Sequence, residues 1–366
     1  MDQCTPNNTY HIVASVAERY LYTNGQVIIT TVVLPLILCI GIITNTAFFY
    51  VTVRIEHMRT VTNMYLINLA IADVVFLAAA IGDKLWKYSS SPMMGDNSML
   101  GLVGCIWVYF LSDMAYFASL IFVTLVSLDR YIAVCRPMDR QNTLRTTPMI
   151  YIIGSWFSAC VLGAFMIPAS ANFKTYCFMW PNDVKTYRNW PIIIGFCGPI
   201  NEWIGIMDVG IQTIPFVVAL FLNLYLYVAI IRTLSQWIKR MGTAKAKDVT
   251  MSRQIARMLV VNGTVFFCLL APFELLLLIR TIALLERDGN YYLSDNTTRS
   301  ILTILVRILS YMNSAINPVI YTVMCRRYLD AFKEALLPKS FMLNKTKEMA
   351  KKASNDKDKI RMADHS

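Results

Sequence analysis

Ile301-Leu-Thr-Ile-Leu-Val-Arg307-Ile-Leu-Ser-Tyr311-Met-Asn313-Ser-Ala-Ile-Asn317-Pro318-Val-Ile-Tyr321-Thr-Val-Met324 is an apolar run interrupted by a single charge and followed at once by Cys325-Arg326-Arg327. A bilayer core about 30 Å thick is crossed by about 20 helical residues, so the run is long enough to span. Six similar runs precede it, and the seven lie near 27–53, 61–85, 102–134, 148–168, 206–232, 254–284 and 299–324. In lipid each segment must satisfy its own backbone, so all seven are expected to be helices, with prolines at 35, 168, 215, 272 and 318 as tolerated kinks. The expected fold class is an all-α membrane protein, a seven-transmembrane helix bundle.

Composition agrees. Hydrophobic residues make up 56% of the 366 and charged residues 16%, against roughly 45–50% and 25% in soluble domains. The net charge of +11 does not point to nucleic acid, because the basic residues alternate with apolar segments instead of lining one face. Met1 to Gln26 carries Glu18 and Arg19 and has no apolar signal region, so the first helix is expected to act as its own insertion signal.

Lys and Arg crowd between Arg130 and Arg145, between Arg232 and Arg257, and from Arg326 onward. The positive-inside rule then puts the N-terminus outside and the C-terminus in the cytoplasm, as expected at the plasma membrane. Four divisions result: an extracellular segment 1–26, the seven-helix domain 27–324, an amphipathic surface helix 325–338 and a disordered tail 339–366. The surface helix should set Tyr328, Leu329, Phe332, Leu336 and Leu337 on one face. The sequons at Asn7 and Asn296 fall on the outer side and are candidate glycosylation sites.

The nine cysteines show no zinc spacing, and Cys4, Cys105, Cys177 and Cys197 are the extracellular ones. Ionisable groups inside a span are costly and mark functional sites, Asp73 most clearly. Asp129-Arg130-Tyr131 ends the third span, Trp156 centres the fourth, and Asn317-Pro318-Val-Ile-Tyr321 closes the seventh.

With Asn45, Cys105, Pro215 and Pro272, these residues stand in the order and spacing of the rhodopsin-like (class A) G-protein-coupled receptors, which the chain resembles from about residue 27 to 337. The resemblance implies a receptor rather than an enzyme. It implies coupling to a heterotrimeric G protein through Asp129, Arg130 and Tyr131, and switching through Pro215, Phe266, Leu270, Pro272, Asn317, Pro318 and Tyr321. It further implies no cofactor beyond an allosteric sodium ion at Asp73, Ser119, Asn313 and Asn317, and a bridge between Cys105 and Cys177; the remaining outer cysteines, Cys4 and Cys197, are then candidates for a second bridge that would pin the N-terminal segment over the pocket. Arrestin, receptor kinases and membrane lipid are the other implied partners. Two positions depart from the family: Leu270 stands for its usual Trp, and Asn223 for its usual Tyr, with Phe266 and Tyr225 nearby to compensate.

No lysine lies between Ile301 and Met324, which excludes a retinal Schiff base. Ser112 occupies the position where amine receptors carry aspartate, and Asp113 points about 100° away, which disfavours an amine. The thyrotropin-releasing hormone receptor branch of the family is similar in Tyr311 to Tyr321, in Met207-Asp208-Val-Gly210 and at Arg307. That resemblance implies a short amidated neuropeptide, a response through Gq and calcium, and a ligand contact at Arg307; Asp83, Asp113, Phe117, Phe273, Glu274 and Tyr311 are the further candidate ligand residues, of which Asp113, Phe273 and Glu274 depart from the branch. Asp83, Asp113 and Glu274 make the pocket more acidic than the branch's, so the expected peptide carries a basic group. An ion pair from Arg307 to Glu274 or Asp113 is the structural alternative. A transporter with intramembrane Asp73 and Arg307, and a non-signalling scaffold, are the rival classes.

Overall fold

The computed structural model describes residues 4–13, 17, 20–137, 148–181, 187, 189–240, 246–286 and 296–336. The long helices are α1 (Asn24–Arg54), α2 (Val61–Ser90), α3 (Gly101–Cys135), α4 (Pro148–Met166), α5 (Glu202–Arg240), α6 (Ala246–Glu286) and α7 (Asn296–Met324). A short α8 (Arg326–Leu336) follows them. The first six are long and apolar enough to cross a membrane. At 29 residues α7 rises about 43 Å, which also suffices. The chain is a seven-helix membrane bundle. The expected tail 339–366 lies outside the described residues.

Local sequence sets the helix ends and bends. Thr23 and Gln26 form a reciprocal capping box at the start of α1. Pro35 lacks an N–H, and the turn before it, Ile29–Val33, is wound as a π-helix that absorbs the mismatch. Pro168 does not kink α4 as expected. The helix stops at Met166 and the proline sits in a 3-10 turn, Ile167–Ala169, where its fixed φ is useful and no helical carbonyl opposes its ring.

The largest core lies among α2, α3, α6 and α7 toward the α8 end, around Leu66, Phe122, Met258 and Tyr321. Apolar side chains such as Phe157, Phe221 and Val323 are exposed on the outer helix faces. Water would not tolerate that surface, and lipid would. Polar groups tie the helices internally: Trp156 donates its indole N–H to Asn68 at 2.9 Å, and Asn45 donates to the Ser314 carbonyl at 2.9 Å.

α8 buries Tyr328, Ala331 and Ala335. Its expected apolar face is thus corrected in part: Leu329 and Leu336 are exposed, and Leu337 lies outside the described residues. The small alanines let the helix approach α1 closely, which turns the leucines outward. Tyr328 donates to Asn63 Oδ1 at 2.5 Å and stacks on Phe48. Burial holds its phenol well above the usual tyrosine range, so it remains a donor.

At the opposite end a three-stranded sheet covers the bundle. It contains β1 (Thr9–His11), β2 (Asn172–Met179) and β3 (Ile193–Gly198), in the order β1-β2-β3. β2 and β3 form a hairpin with Phe173 opposite Cys197, and β1 runs parallel to β2 with Thr9 opposite Cys177. The bridges follow this register and correct the expected pairing. Cys4 joins Cys177 and Cys105 joins Cys197. Cys177 faces the N-terminal strand, which the hairpin carries beside it, while Cys197 ends β3 next to the top of α3. Peptide mapping under non-reducing conditions should recover these two linked pairs. A peptide joining Cys105 to Cys177 would show that the register is wrong.

Candidate functional site

Below the sheet lies a cavity of about 310 Å³, among α2, α3, α5, α6 and α7. That size lies at the lower end of the roughly 300–1,000 Å³ range of ligand pockets. Asp83, Asp113, Phe273, Arg307 and Tyr311 all reach its wall. Phe117 and Glu274, expected beside them, do not. Phe117 is fully buried in the core against Tyr116. Glu274 is directed between helices, where it accepts hydrogen bonds from Tyr116 Oη (2.7 Å), Gln212 Nε2 (3.0 Å) and Thr213 Oγ1 (3.1 Å). It is a buried tie between α3, α5 and α6 rather than a cavity lining.

Asp83 is compensated as well: Lys87 Nζ lies 2.8 Å from its carboxylate and Lys84 Nζ 3.5 Å. Arg307 forms no ion pair among the described residues, with Glu274, Asp113 or any other acid. Its guanidinium instead sits 5.2 Å from the Phe273 ring centre, held by the ring's negative face. The cavity floor is Leu270, 3% exposed and packed with Leu120, Phe216 and Phe266. The side chain that replaces the family's usual tryptophan therefore fills its place as a flexible aliphatic plug. Lys84, Tyr116, Asp208 and Gln212 also line the cavity and were not expected there. The position of Asp208 one α-helical turn before Gln212 was the available signal.

Deeper in the bundle Asp73 is fully buried. Ser119 donates to its Oδ1 at 3.1 Å and Asn317 Nδ2 to its Oδ2 at 2.7 Å, which joins α2, α3 and α7. One turn above Asn317, the buried Asn313 Oδ1 has no hydrogen-bond partner.

Asn223, where the family carries tyrosine, is fully buried and donates to Thr124 Oγ1 at 2.9 Å. Tyr225 does not compensate for it; that side chain is 63% exposed on the outer face of α5. The inward tyrosine is Tyr227, four residues and one turn past Asn223. Its hydroxyl lies 3.0 Å from Ser127 Oγ on α3. It also occupies the space above Gly263 of α6, where a Cβ would fall 1.6 Å from the hydroxyl. Spacing of four along one helix face could have identified it.

Near α8, Asp129 accepts from Arg130 Nη2 at 2.9 Å and from Thr62 Oγ1 at 2.5 Å. Tyr131 packs with Val134, Ile230 and Leu234. Ile255, Met258 and Leu259 of α6 share a core with Val126 and Tyr321, so α6 lies close against α3 and α7 at this end. Pro215, Pro272 and Pro318 lie inside α5, α6 and α7, where they weaken the backbone ladder at mid-helix.

A ligand-sized pocket at one end and an arginine paired with its neighbouring aspartate at the other, joined by helices that carry internal prolines, define a membrane receptor. The chain belongs to the family described as 7 transmembrane receptor (rhodopsin family), whose model matches residues 44–321. It is a multi-pass G-protein-coupled receptor and not an enzyme. It is similar to the thyrotropin-releasing hormone receptor of Bos taurus, 29% identical over 341 residues that cover 84% of this chain and 77% of the relative. The Gallus gallus receptor of the same name is 28% identical over 352 residues, 87% and 80% of the two chains. The Homo sapiens receptor is 28% identical over 340 residues, 84% and 77%.

Proposed function

We propose that this receptor is activated by a short, C-terminally amidated peptide and couples to Gq, with the sheet end outside the cell. The observation that carries this reading is Arg307: a guanidinium in the cavity wall with no acid paired to it among the described residues, lying over the Phe273 ring. Several N–H groups in a fixed fork suit the carbonyls of a peptide and its terminal amide. The names of the relatives support a peptide of the thyrotropin-releasing hormone kind. A small amine is the second reading, favoured by Asp113 in the same wall.

On this reading the release of Arg130 from Asp129 and an outward swing of α6 open the G-protein site. The agonist needs only to bind the open state better than the closed one. Arrestin and receptor kinases would act on the same open state, α8 would lie on the inner leaflet with Leu329 and Leu336 in lipid, and the exposed Asn7 would carry glycan. The side chain of Asn296 lies outside the described residues.

Calcium release in cells challenged with a library of amidated short peptides tests the reading, with Arg307→Ala beside the wild type at matched surface expression. A hit weakened at least about tenfold in the variant is expected, the order of one or two charge-assisted hydrogen bonds. A hit equally potent on Arg307→Ala removes that residue from the site. Silence across the library and across a panel of G proteins removes the peptide.

Asp73, Ser119, Asn313 and Asn317 fit a sodium ion: they offer oxygen donors, and the Asn313 Oδ1 is without a partner. Replacing sodium by choline should raise basal nucleotide exchange in the wild type and leave Asp73→Asn unchanged. A wild type indifferent to the exchange of cations would remove the ion.

A further inference from the structure

Of the acids expected to give the pocket its negative character, Asp83 is ion-paired with Lys87 and Lys84 through one oxygen, and Glu274 is hydrogen-bonded between helices outside the lining. The remaining pair is Asp113 on α3 and Asp208 on α5, both in the cavity wall. Neither makes an ion pair among the described residues. Asp208 Oδ1 is shielded from solvent without a hydrogen-bond partner. Across the cavity stand Lys84 on α2 and Arg307 on α7. Lys84 shares the Asp83 carboxylate with Lys87, and Arg307, without an ion pair among the described residues, lies over the Phe273 ring. Lys84, Arg307 and Tyr311 are also the wall of a second cavity of about 300 Å³, roofed by Tyr22 and Gln26. The pocket therefore has an acidic pole between α3 and α5 and a basic pole between α2 and α7.

We propose that the ligand is a dipolar peptide, with a cationic side chain between Asp113 and Asp208 and an acceptor-rich end against Lys84 and Arg307. This rests on the peptide reading above and adds a subsite and an orientation to it. Asp113, Asp208 and Arg307, which make no ion pair among the described residues, are costly to hold charged in a low-dielectric wall, and a ligand that supplies the opposite charge at each end removes the cost at both. The reverse orientation juxtaposes like charges and is strongly disfavoured. A simple amine compensates only the acidic pole and leaves Arg307 and Lys84 facing apolar ligand.

The test uses two libraries of amidated tetrapeptides, alike except that a scanned position holds arginine in one and citrulline, its neutral isostere, in the other. Nucleotide exchange is read in membranes of cells expressing the full chain with a panel of G proteins. On the wild type the best arginine peptide should exceed its citrulline twin by about 30-fold or more. Asp113→Asn combined with Asp208→Asn should erase that difference, and Asp113→Glu, which keeps the charge, should retain it. Arg307→Gln should weaken both twins alike and preserve their ratio, which separates the two poles. Equal potency of the twins on the wild type overturns the dipolar ligand while the peptide receptor stands. Silence of both libraries at good surface expression overturns the peptide reading and this inference with it.

Discussion

Glu274→Ala should cost the receptor about 3 kcal/mol of stability, read as a fall of several degrees in its thermal midpoint in lipid nanodiscs. The carboxylate is 3% exposed and takes donors from Tyr116, Gln212 and Thr213, so one truncation leaves three groups on two other helices without an acceptor. An unpaired buried donor costs about 1–3 kcal/mol. Tyr116 and Gln212 also border the cavity, where water can reach them, and this keeps the total below the sum of three full penalties. Glu274→Gln preserves one acceptor oxygen and should recover part of the loss. A Glu274→Ala protein as stable as the wild type would mean that the three donors find other partners and that α3, α5 and α6 are not tied there.

Gly263→Ala should release the opposite end of the bundle. The new methyl group would fall 1.6 Å from the Tyr227 hydroxyl, far inside contact distance, so the phenol must leave its place beside Ser127. Overpacking a core costs about 1–3 kcal/mol. Here the strain falls on the closed arrangement of α3, α5 and α6, and an outward movement of α6 relieves it. A closed state weakened by that amount shifts the resting equilibrium about 5- to 150-fold, so basal nucleotide exchange should rise without agonist. Tyr227→Leu in the same chain removes the clashing hydroxyl and should return exchange toward its original level. A Gly263→Ala receptor that is merely less stable, with unchanged basal exchange, would show that Tyr227 does not hold the closed state.

What the sequence reveals is depth, and what it hides is direction. Each of the seven expected spans falls on a helix because hydrophobic length locates a segment along the membrane normal, although α5 and α6 run well past the apolar stretches at 206–232 and 254–284. Azimuth is different. Lipid is as apolar as the protein core, so hydrophobic periodicity does not say which face of α5 turns inward. Tyr225 and Tyr227 are about 200° apart, and only the structure separates the lipid-facing residue from the one against Gly263. The same blindness put Phe117 and Glu274 in the pocket when one is core and the other an interhelical tie, and left Asp208 out of it. The cysteines fail for another reason. Pairing depends on strand register, and nothing between Asn172 and Gly198 announces that a strand from the N-terminus will lie parallel to β2.

That parallel strand sets an order on the making of the protein. Cys4 is made 173 positions before its partner Cys177, and four spans are made between them. At about 5–20 residues per second the interval is roughly 10–35 s. Throughout it the N-terminal thiol waits unpaired, with its own strand lacking a neighbour. Cys105, 92 positions from Cys197, waits about half as long. The roof of the ligand cavity is thus closed from both ends only after the fourth helix is in place, and a chain delayed before residue 177 exposes Cys4 to any other thiol in reach.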